Sequence, residues 1–139
     1  MNTKIYKYRI GAIIALVLIY GIMYSKNSKN MDIKEIIPVK ELRDAFINDR
    51  SKAEKLYKNK RVTMKGVAVY VGPDIYALPS IELSDKKDGT SMTLCVLPVS
   101  DYLKLRKFSK GQTLVITGEA RDLYKESILV VKECKVEEE

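Results

Sequence analysis

Histidine and tryptophan are absent from this chain of 139 residues, which holds only two phenylalanines, two cysteines and four prolines. Without histidine there is no imidazole general base, no His-containing triad and no His-liganded zinc. The cysteines, Cys95 and Cys134, form no Cys-x-x-Cys redox or metal pattern. Four prolines and seven glycines are too few for a collagen-like or linker-dominated chain, and 46% hydrophobic residues exclude wholesale disorder. No glycine-rich phosphate loop occurs, nor a Ser or Cys nucleophile with a plausible base. Glu82, Asp85 and Asp88 are acids near expected loops, but their pairing does not follow from spacing. The expectation is a non-catalytic protein without metal or cofactor, and the length allows one domain of ordinary size.

Positive charge is what the chain has in excess, with a formal +7 and a pI near 9.3. A short basic chain invites a nucleic-acid reading, but the charge is unevenly placed. Residues 1–30 carry Lys4, Lys7, Arg9, Lys26 and Lys29 and no acid, five of the seven net charges. Between them Ile10 to Tyr24 is fifteen residues without a charge, flanked by Tyr6, Tyr8, Tyr20 and Tyr24 where interfacial aromatic belts would lie. The run is apolar all round, unlike the striped face of a core helix, and its length lies between a signal-peptide core and a full span. No Ala-x-Ala cleavage pattern follows it. The reading is a basic tail at 1–9, an uncleaved transmembrane signal anchor at 10–24 and a polar tether at 25–30, with a cleaved signal peptide as the alternative. No cysteine follows the apolar run, which argues against a lipoprotein. The short tail most simply stays inside, so the protein is expected in the cell membrane as a single-pass chain with residues 31–139 outside the cytoplasm.

After the tether, Leu42, Phe46, Asp49, Ala53 and Tyr57 recur at helical spacing behind Pro38, which predicts one leading helix over 39–58. The period then switches to two. Strands are expected at Val62–Val71, Ile75–Ser84, Ser91–Leu97, Thr113–Ala120 and Ser127–Val136, with a short helix at Asp101–Phe108 between the third and fourth. Pro79 interrupts the second run and argues for a distorted or edge-like segment there. Gly66 and Gly118, inside the first and fourth strands, predict the bulges or sharp bends of a small barrel. Five strands in this order define the fold class as mainly β, a five-stranded OB-fold barrel with a leading α-helix, preceded by the transmembrane helix.

The helix also resembles that of the tRNA-anticodon-like OB-fold proteins, small membrane-targeted or lipoprotein domains. Their pattern aromatic-x-x-Asn-x-x-x-Ala-x-x-x-Tyr-x-Gly-Lys is matched by Phe46, Asp49, Ala53, Tyr57, Asn59 and Lys60. Thr63, Gly66, Cys95, Gly111, Gln112, Gly118 and Cys134 extend the likeness over roughly residues 42–136. Asp49 stands where the family has Asn, Asn59 where it has Gly, and its lipobox cysteine is missing. The resemblance implies the fold, and no particular ligand.

Cys95 and Cys134 fall in the third and fifth strands, neighbours in an OB barrel, so they are either a disulfide or two buried thiols. A disulfide closing such a loop would stabilise by roughly 4 kcal/mol in the chain-entropy model. OB folds bind on their second and third strands and the adjoining loops, which makes Tyr70, Tyr76 and Tyr124, with Arg121 and Lys125, the candidate ligand-binding residues. The loops there have no excess of positive charge: residues 66–139 hold ten basic against twelve acidic side chains. The leading helix is basic, which is either a solvated face or a rest against anionic lipid headgroups. The function expected is therefore a membrane-anchored module for a protein or glycan partner. A tethered binder of single-stranded nucleic acid is the alternative.

Overall fold

The structure is a computed structural model that describes residues 35–138. The expected tail at 1–9, anchor at 10–24 and tether at 25–30 lie outside the described residues. Among those described, no helix is long and apolar enough to cross a membrane.

The chain enters through a short strand, β1 (Ile36–Pro38), and two helices, α1 (Val39–Asn48) and α2 (Arg50–Tyr57). The single helix expected over 39–58 is thus two. Asp49 takes an extended conformation (φ −147°, ψ 83°), and its carboxylate accepts a hydrogen bond from the Lys52 amide at 3.1 Å. Aspartate serves well as an N-cap because it satisfies an amide that the first turn leaves unpaired. The break leaves the apolar stripe intact: Leu42, Phe46 and Ala53 are buried, and the Phe46 and Tyr57 rings lie 6.3 Å apart.

Five strands close the barrel: β2 (Arg61–Pro73), β3 (Pro79–Ser84), β4 (Thr93–Val96), β5 (Thr113–Tyr124) and β6 (Ile128–Val136). The order β1-β2-β3-β4-β6-β5 is closed by an additional β2–β5 pairing. This is the expected five-stranded barrel, with β1 added as a parallel edge strand on β2 that the sequence pattern does not announce. The long strand β2 serves two neighbours, pairing with β5 through Arg61–Val67 and with β3 through Val67–Pro73. A parallel β4–β6 pairing lies on the far side.

The expected second strand is shortened, because Ile75 to Leu78 form a loop and Pro79 opens β3, a position where a missing amide costs no ladder bond. The expected helix between the third and fourth strands is a 3-10 helix over Val99–Lys107.

Of the two strand glycines, only Gly118 lies at a bulge, where the β5–β6 register shifts between Thr117 and Glu119. Gly66 keeps regular register with Leu114. It is required instead by close packing, since a Cβ there would lie 2.9 Å from Val39 Cγ1 and 3.0 Å from the Ser84 carbonyl oxygen. The core inside the barrel includes Val62, Met64, Ala68, Ile81, Leu83, Ile116, Leu129 and Val131, with Leu42 and Phe46 of α1 joining it.

Candidate ligand-binding face

Cross-strand register sets two opposite faces on the same strands. Facing inward, Val71, Ile81, Cys95, Val131 and Ala120 stand in one row from β2 to β5. One step along, Tyr70, Glu82, Leu94 and Val130 form the matching outward row. The inward residues from Ile81 to Ala120 are fully buried, whereas Glu82, Leu94 and Val130 are half-buried and Tyr70 is exposed. The outward row floors a cleft of about 810 Å³, within the range of small-ligand sites.

The walls come from irregular chain. Between β2 and β3, the Asp74 carboxylate accepts hydrogen bonds from the amides of Tyr76 (2.8 Å) and Leu78 (2.9 Å). The Asp74 amide in turn donates to the Leu78 carbonyl at 2.8 Å. This tight loop holds Ile75 and Tyr76 out from the barrel, 80% and 77% exposed. Tyr70 is fixed by its hydroxyl, which donates to the Pro73 carbonyl, and its ring edge lies over Gly72. Pro98 and Val99 of the β4–helix junction, with Tyr124 and Ile128 of the β5–β6 hairpin, complete the cleft.

Three of the five residues expected to bind ligand, Tyr70, Tyr76 and Tyr124, therefore converge on one cleft. The other two do not line it. Arg121 is held away by Asn59 Oδ1 at 3.0 Å and by the Glu119 carboxylate at 3.2 Å. Lys125 lies 5.3 Å above the Tyr124 ring, a cation–π contact outside the lining. The sequence reading missed the aliphatic floor, Leu94, Val96, Ile128 and Val130. Its signal was present: Leu94-Cys95-Val96 of β4 and Ile128 to Val131 of β6 are apolar at odd and even positions alike, the mark of strands covered on both sides.

The charged residues of the lining are Asp74, Glu82 and Glu133 against a single Lys132. Glu82 has no ion-pair or hydrogen-bond partner among the described residues. At the leading helices Arg50 pairs with Asp122 at 2.7 Å and Glu54 at 3.2 Å, and Lys58 reaches the same two acids. The Arg50 guanidinium holds the Asp122 carboxyl below its ordinary range. Asp44 is lowered likewise, by Lys40 first and by Arg43.

Behind the floor, Cys95 and Cys134 are free thiols, both buried. The Cys134 thiol donates to the Val131 carbonyl at 3.3 Å. The contact with Cys134, together with complete burial, pushes the Cys95 thiol well above its ordinary range.

Fold and sequence together place the chain in a class, the small OB-fold barrels with leading helices. The chain belongs to the tRNA_anti-like family, whose model matches residues 1–135. Among solved structures, it is similar to a proposed nucleic acid-binding lipoprotein from Klebsiella pneumoniae subsp. pneumoniae. The identity is 18% and the TM-score 0.61, over 75% of this chain and 92% of that one. Weaker likeness extends to a proposed aspartyl-tRNA synthetase from Leishmania major, at 13% identity and a TM-score of 0.48 over 78% of this chain and 22% of that one. An OBody bound to hen egg-white lysozyme is similar at 14% identity and a TM-score of 0.42, over 58% and 84%. At these identities the likeness is one of fold. A comparison with curated proteins gave no match.

Proposed function

We propose that this protein is a non-catalytic OB-fold module, held at the cell membrane by residues 10–24, that binds a protein or glycan partner outside the cytoplasm. The carrying observation is the cleft over Tyr70, Leu94 and Val130, an aromatic and aliphatic face with three acids and one lysine in its lining. A nucleic-acid groove needs bases to follow the phosphate backbone beside its stacking rings. Here the rings are present, but Arg121 is engaged elsewhere and the acids would repel phosphates.

A tethered binder of single-stranded nucleic acid is the second reading. It draws on the Lys125–Tyr124 pair at the cleft rim and on the fold shared with the Klebsiella lipoprotein.

Two measurements test the proposal. A reporter active only in the cytoplasm, fused after Glu139, should stay silent in cells; a strong signal overturns the extracytoplasmic placement. Full-length protein in detergent should bind single-stranded DNA or RNA negligibly at 150 mM salt. Tight binding that weakens steeply as salt rises would favour the second reading.

A further inference from the structure

Glu82 sits in an unusual place for a carboxylate. It lies second in the outward row, between Tyr70 on β2 and Leu94 on β4, with Val130 beyond. It is half-buried and has no ion-pair or hydrogen-bond partner among the described residues. A carboxylate left unpaired among apolar neighbours is open to an opposite charge brought by a ligand. Fold stability does not require an acid there, because the inward side of β3 already supplies Ile81 and Leu83 to the core.

The rest of the lining narrows the occupant. The side chains of Ile75, Leu78, Leu94, Val96, Ile128 and Val130 carry no hydrogen-bonding atoms, so the hydroxyls of a glycan laid across them would lose water without replacement. Polyanions meet Asp74, Glu82 and Glu133. An extended polypeptide with apolar side chains and one Lys or Arg satisfies both features. Strands lie about 4.8 Å apart, so the row from Tyr70 to Val130 is roughly 14 Å long, the reach of about four extended residues.

We infer that the outward face of β2, β3, β4 and β6 is a docking groove for an extended, basic and apolar polypeptide segment, with Glu82 as the residue that selects its Lys or Arg. This rests on the reading of the protein as a binding module, and it names the class of partner and the determinant of its specificity.

The test uses full-length protein in detergent, with fluorescence anisotropy of a labelled octapeptide of Val and Tyr residues with a single central Lys. A matched peptide with Glu for Lys, chitohexaose and dT12 serve as competitors. The Lys peptide should bind at least tenfold more tightly than the Glu peptide. Glu82→Gln, which keeps the side-chain shape, should remove most of that preference, and Glu82→Lys should reverse it. Leu94→Ala should weaken both peptides.

Equal affinity for the two peptides, an unaltered preference in Glu82→Gln, or no binding of the Lys peptide at 1 mM each overturns the inference. If chitohexaose binds and Leu94→Ala removes that binding while Glu82→Gln does not, the basic-peptide inference fails and the binding-module reading stands. Preferential, salt-sensitive binding of dT12 removes both. A monomer–dimer equilibrium abolished by Leu94→Ala assigns the face to a second copy of this chain and overturns the inference.

Discussion

The inward and outward rows of the barrel use the same strands, in the same register, one residue apart. Ile81, Cys95, Val131 and Ala120 are fully buried, and closing the barrel explains them. Tyr70, Leu94 and Val130 are nearly as apolar, yet closure does not need them, and an unpaired Glu82 stands among them. The contrast teaches where to look for function. Apolar surface that folding accounts for is core, whereas a contiguous apolar face that folding leaves half-covered and acidic is a site for something else.

The sharpest way to break this comparison is to truncate both rows. Ile81→Ala should destabilise by about 2–5 kcal/mol, the usual cost of a large-to-small change in a closed core. Leu94→Ala, across the sheet, should cost under about 1.5 kcal/mol, because its half-buried side chain leaves a surface dent that water fills. Urea denaturation of both variants checks this, and equal losses would dissolve the distinction between the rows.

The buried thiol gives a second probe of the inward row. Cys95 is raised in the folded state, so at alkaline pH the unfolded chain loses a proton that the folded one retains. Its contribution is constant below the ordinary thiol range near pH 8.5 and falls as pH rises beyond it, by up to about 1.4 kcal/mol per pH unit. Denaturation at pH 7 and pH 10 should show a steeper decline in the wild type than in Cys95→Ala. Identical slopes would mean that the thiol ionises as freely inside as outside.

A smaller effect is expected at Thr93, which is buried beside this row with its hydroxyl lacking a partner among the described residues. Thr93→Val should stabilise by about 1 kcal/mol in thermal unfolding, since it removes an unsatisfied buried group at little change in shape. The smallest effect belongs to the ion pairs outside the barrel. Asp122→Asn, which loses Arg50 and Lys58, should cost a few tenths of a kcal/mol at pH 7. Because the folded carboxyl is lowered, its contribution is present above the ordinary range near pH 4 and disappears as pH falls through its depressed value.

Much of the fold was legible because it depends on local pattern. The switch from helical spacing to period two at Arg61, the turn at Gly72-Pro73-Asp74 and the strand order that defines an OB barrel are all short-range signals. The family's usual glycine after the helix is another. Asn59 occupies it with φ 61°, a left-handed backbone that Asn tolerates better than most residues, and its side chain also receives Arg121. Less legible were the break at Asp49 and the edge strand β1. A helix stripe continues in phase across the first, and the second is three residues that pair with β2.

The candidate site divides the same way. Residue types placed on the expected OB-fold strand order identified Tyr70, Tyr76 and Tyr124 as stacking candidates and limited the positive charge available to them. Tertiary structure decided which way residues face. By strict alternation Tyr70 shares the parity of Val62, Met64 and Ala68, all interior, yet a register shift between Ala68 and Tyr70 turns it outward to the cleft. Cys134 has the opposite parity to Val131, and a bend at Glu133 (φ 51°) brings both inside, where Cys134 meets Cys95. Strand side chains alternate with a period of two, so one inserted residue exchanges the faces of everything beyond it. Sequence determined the barrel and its inventory of side chains. The bulges, set by pairing between distant strands, decided which side chains form the core and which form the site.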